Sequence, residues 1–297
     1  MSPALRQPTS LEPACRELLA RCARLERVAA SYGVLRPEDA AELARWRRRL
    51  ARGEGDHNLE FRDSLAWRVA ERILFHHPGL ARRLPSLREM LDLVAIDGLQ
   101  RSRLDGRGPW PALYFLPTAE WVRATARLLR RLGVERPLEA GCGDGFVARC
   151  LREAGCPVVA CDLAQGDFFI KGYGANVVRA EAVETARRMR ADFVLWLWPP
   201  LDSPEPGRLI ELPHLRFYCE AGSPGERSGN LEAYARYRHR RLSYLSRLAF
   251  SPQDRSEAGG LLLCNEQYLF FGRAHEKFAR WRVEAGPEGP RRAGRLE

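Results

Sequence analysis

The fold is decided by Pro137-Leu-Glu-Ala-Gly-Cys-Gly-Asp-Gly-Phe146, a short apolar run that leads into three alternating glycines. The run predicts a buried strand, and the pattern after Gly145 predicts a helix that begins at a tight turn. Because Gly141, Gly143 and Gly145 carry no Cβ atom, a ligand can approach the backbone N–H groups and the positive end of the helix dipole. The stretch therefore predicts a nucleotide-type pocket.

The segments after the turn extend it into a β-α-β unit. A helix is predicted over 146–154, and Pro157-Val-Val-Ala-Cys-Asp162 predicts a second strand that ends in an acid. Further strands are predicted where the sequence has continuous apolar runs, which are typical of strands covered on both faces. These runs are 176–180, 192–198, 214–219 and 267–271. The order predicts an α/β fold with a doubly wound, mainly parallel sheet and helices on both faces.

The residues before this unit predict an all-helical region. Apolar positions recur with helical spacing over 10–32, 37–51 and 63–74, and Ser86-Leu-Arg-Glu89 has the spacing of a capping box for a helix over 87–99. A turn-rich, aromatic connection at 100–117 predicts the domain boundary. We therefore expect a helical region at 1–110, which binds substrate or a partner or acts as a lid, and an α/β domain at 111–284. Residues 285–297 predict a flexible tail.

The composition narrows the class of protein. The 297 residues include 48 Lys and Arg against 38 Asp and Glu, a formal charge of +10, and nearly all of the excess is arginine. The arginines are scattered through helices, so nucleic acid is an alternative partner that the pattern does not favour. The eight cysteines form no C-x-x-C pair, and His76-His77 has no evident ligand partner, so no metal site is predicted. Without a signal peptide or an apolar run long enough to cross a membrane, a cytoplasmic protein is expected.

The glycine stretch also resembles a known family. Glu139-Ala-Gly141-Cys-Gly143-Asp-Gly145 is similar to the first motif of the class I methyltransferases, which use S-adenosylmethionine and have a Rossmann-like sheet of seven strands. A dinucleotide-binding turn would have glycine or alanine at position 146, where this chain has Phe146. The resemblance therefore implies S-adenosylmethionine as the cofactor, and methyl transfer by in-line attack on its sulfonium methyl group as the activity.

The resemblance also implies roles for individual residues. The turn would line the methionine and ribose part of the cofactor, and Glu139 would act beneath it. Asp162 would accept hydrogen bonds from the ribose hydroxyls, Glu181 would lie near the adenine amine, with Glu184 as a competitor, and Trp198 would stack on adenine or on the substrate. The implied cofactor-binding residues are Glu139, Gly141, Cys142, Gly143, Gly145, Asp162, Glu181 and Trp198.

The substrate side departs from the family pattern. Trp198-Pro199-Pro200 occupies the position of an Asp- or Asn-Pro-Pro-aromatic motif, but an indole cannot accept the hydrogen bond that orients a substrate amine. Pro199, Pro200 and Glu220 are the predicted substrate contacts, and no catalytic residue is assigned. The substrate class is left open among a small molecule, a protein and RNA, as is the oligomeric state. A methyltransferase-like binding or scaffold protein without turnover and an RNA-modifying methyltransferase are the alternatives.

Overall fold

The structure is a computed structural model, and it describes residues 13–52, 69, 72, 84–90, 115–143, 145–163, 176–222, 228–250 and 266–276. Several sequence predictions lie outside these residues. They include most of the helix over 63–74, the His76-His77 pair, most of the connection at 100–117 with the domain boundary, and the tail at 285–297. No helix within the described residues is both long and apolar enough to cross a membrane.

The described residues form helices and strands that alternate after residue 115. The helices are α1 (Pro13–Tyr32), α2 (Pro37–Ala51), α3 (Ala119–Arg131), α4 (Phe146–Glu153), α5 (Ala182–Met189), α6 (Glu205–Ile210), α7 (Leu231–Arg236), α8 (Ser243–Ser246) and α9 (Arg273–Glu276). The strands are β1 (Leu116–Pro117), β2 (Pro137–Ala140), β3 (Val159–Asp162), β4 (Val177–Arg179), β5 (Phe193–Leu197), β6 (Phe217–Gly222), β7 (His239–Arg241), β8 (Ala249–Phe250) and β9 (Glu266–Phe271). One further helical turn covers 87–90.

The main sheet has seven strands in the order β4-β3-β2-β5-β6-β9-β7. The first five strands in this order are parallel, and β9 runs antiparallel to both of its neighbours. The chain moves outward from β2 to β4 and then returns to β5 on the other side of β2, which places the topological switch point between β2 and β5. The predicted fold class, a mainly parallel seven-stranded sheet preceded by helices, is confirmed.

Each face of the sheet buries a separate apolar core. Helices α3, α4 and α8 cover one face, and α5, α6 and α7 cover the other. Adjacent residues of a strand point to opposite faces, so Leu195 contributes to the first core while Val194 and Trp196 contribute to the second. Strands covered on both sides explain why the apolar runs in the sequence are continuous.

The N-terminal helices pack on each other and connect to α3. The capping box is confirmed, since Ser86 N donates to Glu89 Oε2 at 2.8 Å and Glu89 N donates to Ser86 Oγ at 3.2 Å. The same Glu89 carboxylate accepts a hydrogen bond from Ser31 Oγ of α1 at 2.8 Å. Leu87 N then donates to Glu120 Oε2 of α3 at 2.8 Å. A short series of hydrogen bonds thus joins α1, the 87–90 turn and the first turn of α3.

Asp192 organises the edge of the sheet at which β2, β5 and β6 begin. Its buried carboxylate accepts hydrogen bonds from Glu135 N at 2.9 Å and from Arg136 N at 2.8 Å. Arg216 lies 3.7 Å from Asp192 Oδ2, and its guanidinium also donates to Leu132 O at the end of α3. One side chain therefore fixes the chain on its way from α3 into β2.

One predicted boundary needs correction. A strand was expected at 214–219, but β6 covers Phe217–Gly222, because β9 pairs with it as far as Glu266. Glu220 is therefore a strand residue. Strand β7 was not predicted, and it forms because β9 also pairs with His239–Arg241.

Candidate cofactor and substrate site

The glycine turn lies at the C-terminal end of β2, beside the switch point. All three glycines have positive φ, at 57° for Gly141, 56° for Gly143 and 75° for Gly145, a region that L-residues with a side chain rarely adopt. A Cβ atom at Gly141 would lie 2.5 Å from Trp196 Nε1, and one at Gly145 would lie 2.7 Å from Val177 Cγ2. Two of the glycines are therefore required by contacts within the protein.

Gly143 differs from the other two glycines. A Cβ atom there would meet no atom of the described residues within 4 Å. Its N–H donates to Asp162 Oδ2 at 2.9 Å, which joins the turn to the end of β3. Cys142, before it, is buried, and its N–H donates to Cys161 O at 3.1 Å. The turn is thus fixed from below and has an open side at Gly143.

Glu139 lies one residue before the turn begins, and only 2% of its surface is exposed. It belongs to β2 and alternates with Leu138 and Ala140, which face the α5 and α6 side, so it points toward α3 and α4. A buried carboxylate at this depth cannot be a surface contact. Its position beneath the turn is compatible with the predicted role.

Two glutamates lie at the starts of α5 and α6. Glu181 is the N-cap residue of α5, where Oε2 accepts a hydrogen bond from Glu184 N at 2.8 Å. Glu205 lies in the first turn of α6. Burial first, and then Glu181, raises the pKa of Glu205 above its ordinary value. Glu184 is exposed and pairs with Arg187, so Glu181 is the better placed of the two sequence candidates.

Trp196 and Trp198 flank the end of β5. The Trp196 side chain is buried against the glycine turn. The Trp198 side chain is half-buried, and its left-handed φ of 57° is strained for a bulky residue. The backbone N–H of Trp198 donates a hydrogen bond to Ala221 O at 2.6 Å. Pro199 is buried and Pro200 is exposed. The proline segment therefore leaves β5 in a fixed, irregular conformation. It lies at the edge where the parallel strands end, which is called the ligand edge below because open α/β sheets bind ligands there.

Glu220 lies beneath this proline segment, with 1% of its surface exposed. Tyr218 donates a hydrogen bond to Oε2 at 2.8 Å, and Tyr234 of α7 donates one to Oε1. Burial raises the pKa of Glu220 to about 7, while the two tyrosine hydrogen bonds lower it. The group is therefore a carboxyl buried within a tyrosine network, and its predicted contact with a substrate stays a prediction.

Gly229 connects Glu220 to the segment that follows β5. A Cβ atom at Gly229 would lie 2.2 Å from Glu220 Oε1, so the backbone packs directly on the carboxyl. Gly229 N donates to Pro199 O at 3.2 Å, and Asp202 N donates to Gly229 O at 2.8 Å. Pro199, Asp202 and Gly229 are therefore joined by backbone hydrogen bonds, and Gly229 packs on Glu220.

The cysteines and His214 are structural in their surroundings. The seven cysteines within the described residues are buried thiols without disulfide bonds. Burial raises the pKa of Cys161 to about 11 and that of Cys219 to about 12, so neither is a thiolate at neutral pH. His214, which precedes β6, bonds through Nε2 to Ala186 O at 3.1 Å, away from the glycine turn.

Three features of the site were missed from sequence. Glu205 follows Ser203-Pro204, a helix-start pattern with an acid in the first turn that could have been recognised. Trp196 was assigned to a strand without a role, because nothing in the sequence places an indole against Gly141. Tyr234, a partner of Glu220, lies 14 residues away in the chain, and no local pattern predicts that contact.

No protein-family model matches the chain, and no curated protein matches it. Among solved structures, it is similar to magnesium protoporphyrin IX methyltransferase from Synechocystis PCC 6803 with bound SAM, at 14% identity over 52% of this chain and 78% of that chain, with a TM-score of 0.32. It is also similar to cofactor-bound Rv0187 from MTB, at 15% identity over 52% of this chain and 81% of that chain, with a TM-score of 0.31. The methyltransferase domain of bacterial CtHen1 is 10% identical over 50% of this chain and 96% of that chain, with a TM-score of 0.29.

Proposed function

We propose that this protein is an S-adenosylmethionine-dependent methyltransferase. The observation that carries the proposal is the position of the glycine turn, which lies at the switch point of the sheet and is joined through Gly143 N to Asp162 at the end of the next strand. A crevice at a switch point is where open α/β sheets bind ligands. The reversed strand β9, between β6 and β7, departs from the all-parallel order of a dinucleotide-binding sheet.

The residues present fit this cofactor. The open side at Gly143 leaves room for a ligand against the backbone, while Gly141 and Gly145 are filled by Trp196 and Val177. Asp162, half-buried at the end of β3, supplies the carboxylate that ribose hydroxyls require. Glu181 is the acid after β4 that would face the adenine amine. Glu139 would support the turn from beneath, and Trp198 would close the pocket with its aromatic face.

The chain's own contribution to methyl transfer is positioning and exclusion of water. When bound, S-adenosylmethionine supplies a methyl group on a positively charged sulfur that is already activated for in-line attack, so a general base is not required. The Pro199-Pro200 segment and its partner Gly229 form a fixed wall at the ligand edge, and Glu220 supports them from below. Rigid placement of the two reactants accounts for much of the barrier reduction in such reactions.

The cofactor claim is tested by isothermal titration with S-adenosylmethionine and S-adenosylhomocysteine. We expect binding to both by the natural chain. Gly143→Ala adds a methyl group on the open side of the turn, which should weaken binding by about 5- to 150-fold. The absence of heat with either ligand at high micromolar concentration would rule out the proposal.

Gly133→Ala is the matched control for Gly143→Ala. Gly133 has a φ of 60°, and a Cβ atom there would also meet no described atom within 4 Å, but it lies at the end of α3. Both substitutions place alanine in a left-handed conformation, so each should lower the free energy of unfolding by about 1–2 kcal/mol. Equal loss of cofactor affinity in the two variants would mean that the measurement reports backbone strain and not contact between the cofactor and the glycine turn.

Trp198 supports one alternative. Its side chain cannot accept a hydrogen bond from a substrate amine, so a methyltransferase-like binding protein without turnover also fits this edge. The two functions differ in a labelled-methyl experiment with cell extract, resolved into protein, RNA and small-molecule fractions. The enzyme would transfer label to one fraction, whereas the binding protein would bind S-adenosylmethionine and transfer nothing.

A further inference from the structure

Both backbone groups of Gly229 are hydrogen-bonded to the segment at 198–203, which follows β5 and is called the wall segment below. Gly229 N donates to Pro199 O at 3.2 Å, and Gly229 O accepts from Asp202 N at 2.8 Å. The wall segment begins with the strained Trp198. The position of Gly229 therefore determines where this segment lies at the ligand edge.

Gly229 in turn packs on one hydrogen bond, which Tyr234 of α7 donates to Glu220 Oε1. A Cβ atom at Gly229 would overlap both the Tyr234 hydroxyl oxygen and Glu220 Oε1. Tyr218 donates at 2.8 Å to the other carboxylate oxygen, Oε2, which is not among the three atoms nearest to that Cβ position. The bond from Tyr234, and not the bond from Tyr218, is therefore the one beneath Gly229.

Tyr234 is itself held by aromatic rings of β9. Its ring centroid lies 5.1 Å from that of Phe270 and 5.7 Å from that of Tyr268. Only 9% of its surface is exposed, so water offers its hydroxyl little alternative to Glu220 as a hydrogen-bond partner. The pair formed by Tyr234 and Glu220 is therefore a firm support for the backbone above it.

We propose that Tyr234 is a positioning residue for the candidate site. Its hydroxyl holds the Glu220 carboxyl, Gly229 packs on the pair, and Gly229 fixes the wall segment through two backbone hydrogen bonds. Precise sites depend on supporting side chains that are locked by packing and hydrogen bonds in this way. The inference rests on the proposed function, because the wall segment matters for activity only if a ligand binds beside it.

Fluorine NMR of the chain labelled with 5-fluorotryptophan tests the inference without any cofactor. The chain has seven tryptophans, and the signal that disappears in Trp198→Phe is that of Trp198. Tyr234→Phe removes the hydroxyl and keeps the ring, so we expect the Trp198 signal to shift or broaden while that of Trp46 on α2 stays unchanged. Tyr218→Phe should move the Trp198 signal less. An unchanged Trp198 signal in Tyr234→Phe would overturn the proposal.

Tyr237→Phe is the matched control. The Tyr237 hydroxyl donates to Glu211 Oε1 at 2.8 Å, so this variant also removes a hydrogen bond between a tyrosine and a carboxylate, but not the one beneath Gly229. The Trp198 signal should stay in place. An equal shift in Tyr237→Phe and Tyr234→Phe would also count against the proposal.

A second pair of variants keeps the test decisive if Tyr234→Phe does not fold. Gly229→Ala places a methyl group against the pair formed by Tyr234 and Glu220, whereas a Cβ atom at Gly155 would meet no described atom within 4 Å. Their φ angles of 76° and 84° are similar, so Gly155→Ala matches the backbone strain. We expect Gly229→Ala to move the Trp198 signal and Gly155→Ala to leave it, and equal movement would contradict the proposal.

Methyl transfer supplies a readout that depends on the proposed function. If the natural chain transfers label, Tyr234→Phe should slow the transfer by up to about 100-fold, because a small misplacement of the reactants is costly, and Tyr237→Phe should not. Transfer by Tyr234→Phe at the natural rate would refute the positioning role. If the natural chain transfers nothing, the proposed function fails, and the Trp198 signal still decides whether Tyr234 holds the wall segment.

Discussion

Glu220 holds its proton to a higher pH than an ordinary glutamate, because the folded protein removes its carboxyl from water. Its pKa is raised from 4.5 to about 7. Between these values, the native state binds more protons than the unfolded chain, so the free energy of unfolding should fall as pH rises through this range. The full effect of Glu220 is about 3 kcal/mol.

Glu220→Gln should remove this dependence. An amide fits the same space but does not titrate, so the loss of stability between about pH 5 and about pH 8 should be smaller in the variant than in the natural chain. Urea unfolding at the two pH values measures the difference. Glu153→Gln, at an exposed position on α4, should behave as the natural chain does. Parallel pH curves for Glu220→Gln and the natural chain would show that Glu220 does not carry the effect.

Trp198 illustrates a different residue-scale property. A left-handed φ is easily adopted by asparagine, aspartate or glycine, but it is costly for tryptophan, by about 1–3 kcal/mol. The hydrogen bond from the Trp198 backbone to Ala221 O holds the strained conformation, as does packing of the Trp198 side chain on the apolar core beneath α3 and α4. Strain of this kind is found most often at active sites, ligand-binding segments and switch regions.

At the scale of elements, Asp192 connects α3, β2 and β6 through one carboxylate. Asp192→Ala would leave the N–H groups of Glu135 and Arg136 without their acceptor and would remove the partner of Arg216. We expect a loss of about 2–4 kcal/mol in the free energy of unfolding, measured by chemical denaturation.

An exposed acid is the control for Asp192. Glu153→Ala removes a pair with Arg149 at 3.7 Å in which both side chains are largely exposed, and it should change stability by about 0.5 kcal/mol or less. An Asp192→Ala variant as stable as Glu153→Ala would mean that water replaces the carboxylate without cost.

The sequence predicted the elements that local patterns specify. Strands β2 to β5 lie within or next to the predicted runs, since each is a continuous apolar segment, and α2 has the predicted bounds. Strand β7 was missed because His239-Arg-Arg241 is polar and becomes a strand only by pairing with β9, about 30 residues later in the chain. Edge strands depend on their neighbours more than on their own composition.

The site divides in the same way. The glycine turn and Asp162 are close in the chain and were predicted together, and Gly143 N indeed contacts Asp162. Tyr234 contacts Glu220, and Glu205 lies near enough to Glu181 for the two charges to interact. Both pairs depend on tertiary packing, which no spacing in the sequence specifies.

At the scale of the whole molecule, the helical region is linked to the ligand edge. Ser31 and Ser86 contact Glu89, and the 87–90 turn contacts Glu120 in the first turn of α3. Thr118 caps this end of α3, and its hydroxyl donates a hydrogen bond to Leu248 O at 2.6 Å. A partner that displaces the helices would therefore act on the start of α3.

The reversed strand β9 determines the order in which the protein can be completed during synthesis. Strand β6 gains its second neighbour only when residues 266–271 leave the ribosome, although every parallel strand has already emerged. Until then, the buried apolar residues of β6 form an unpaired edge that other nascent chains can join. A chain truncated after residue 265 should accumulate as insoluble aggregate and require chaperones, whereas the chain that includes β9 should remain in the supernatant after centrifugation.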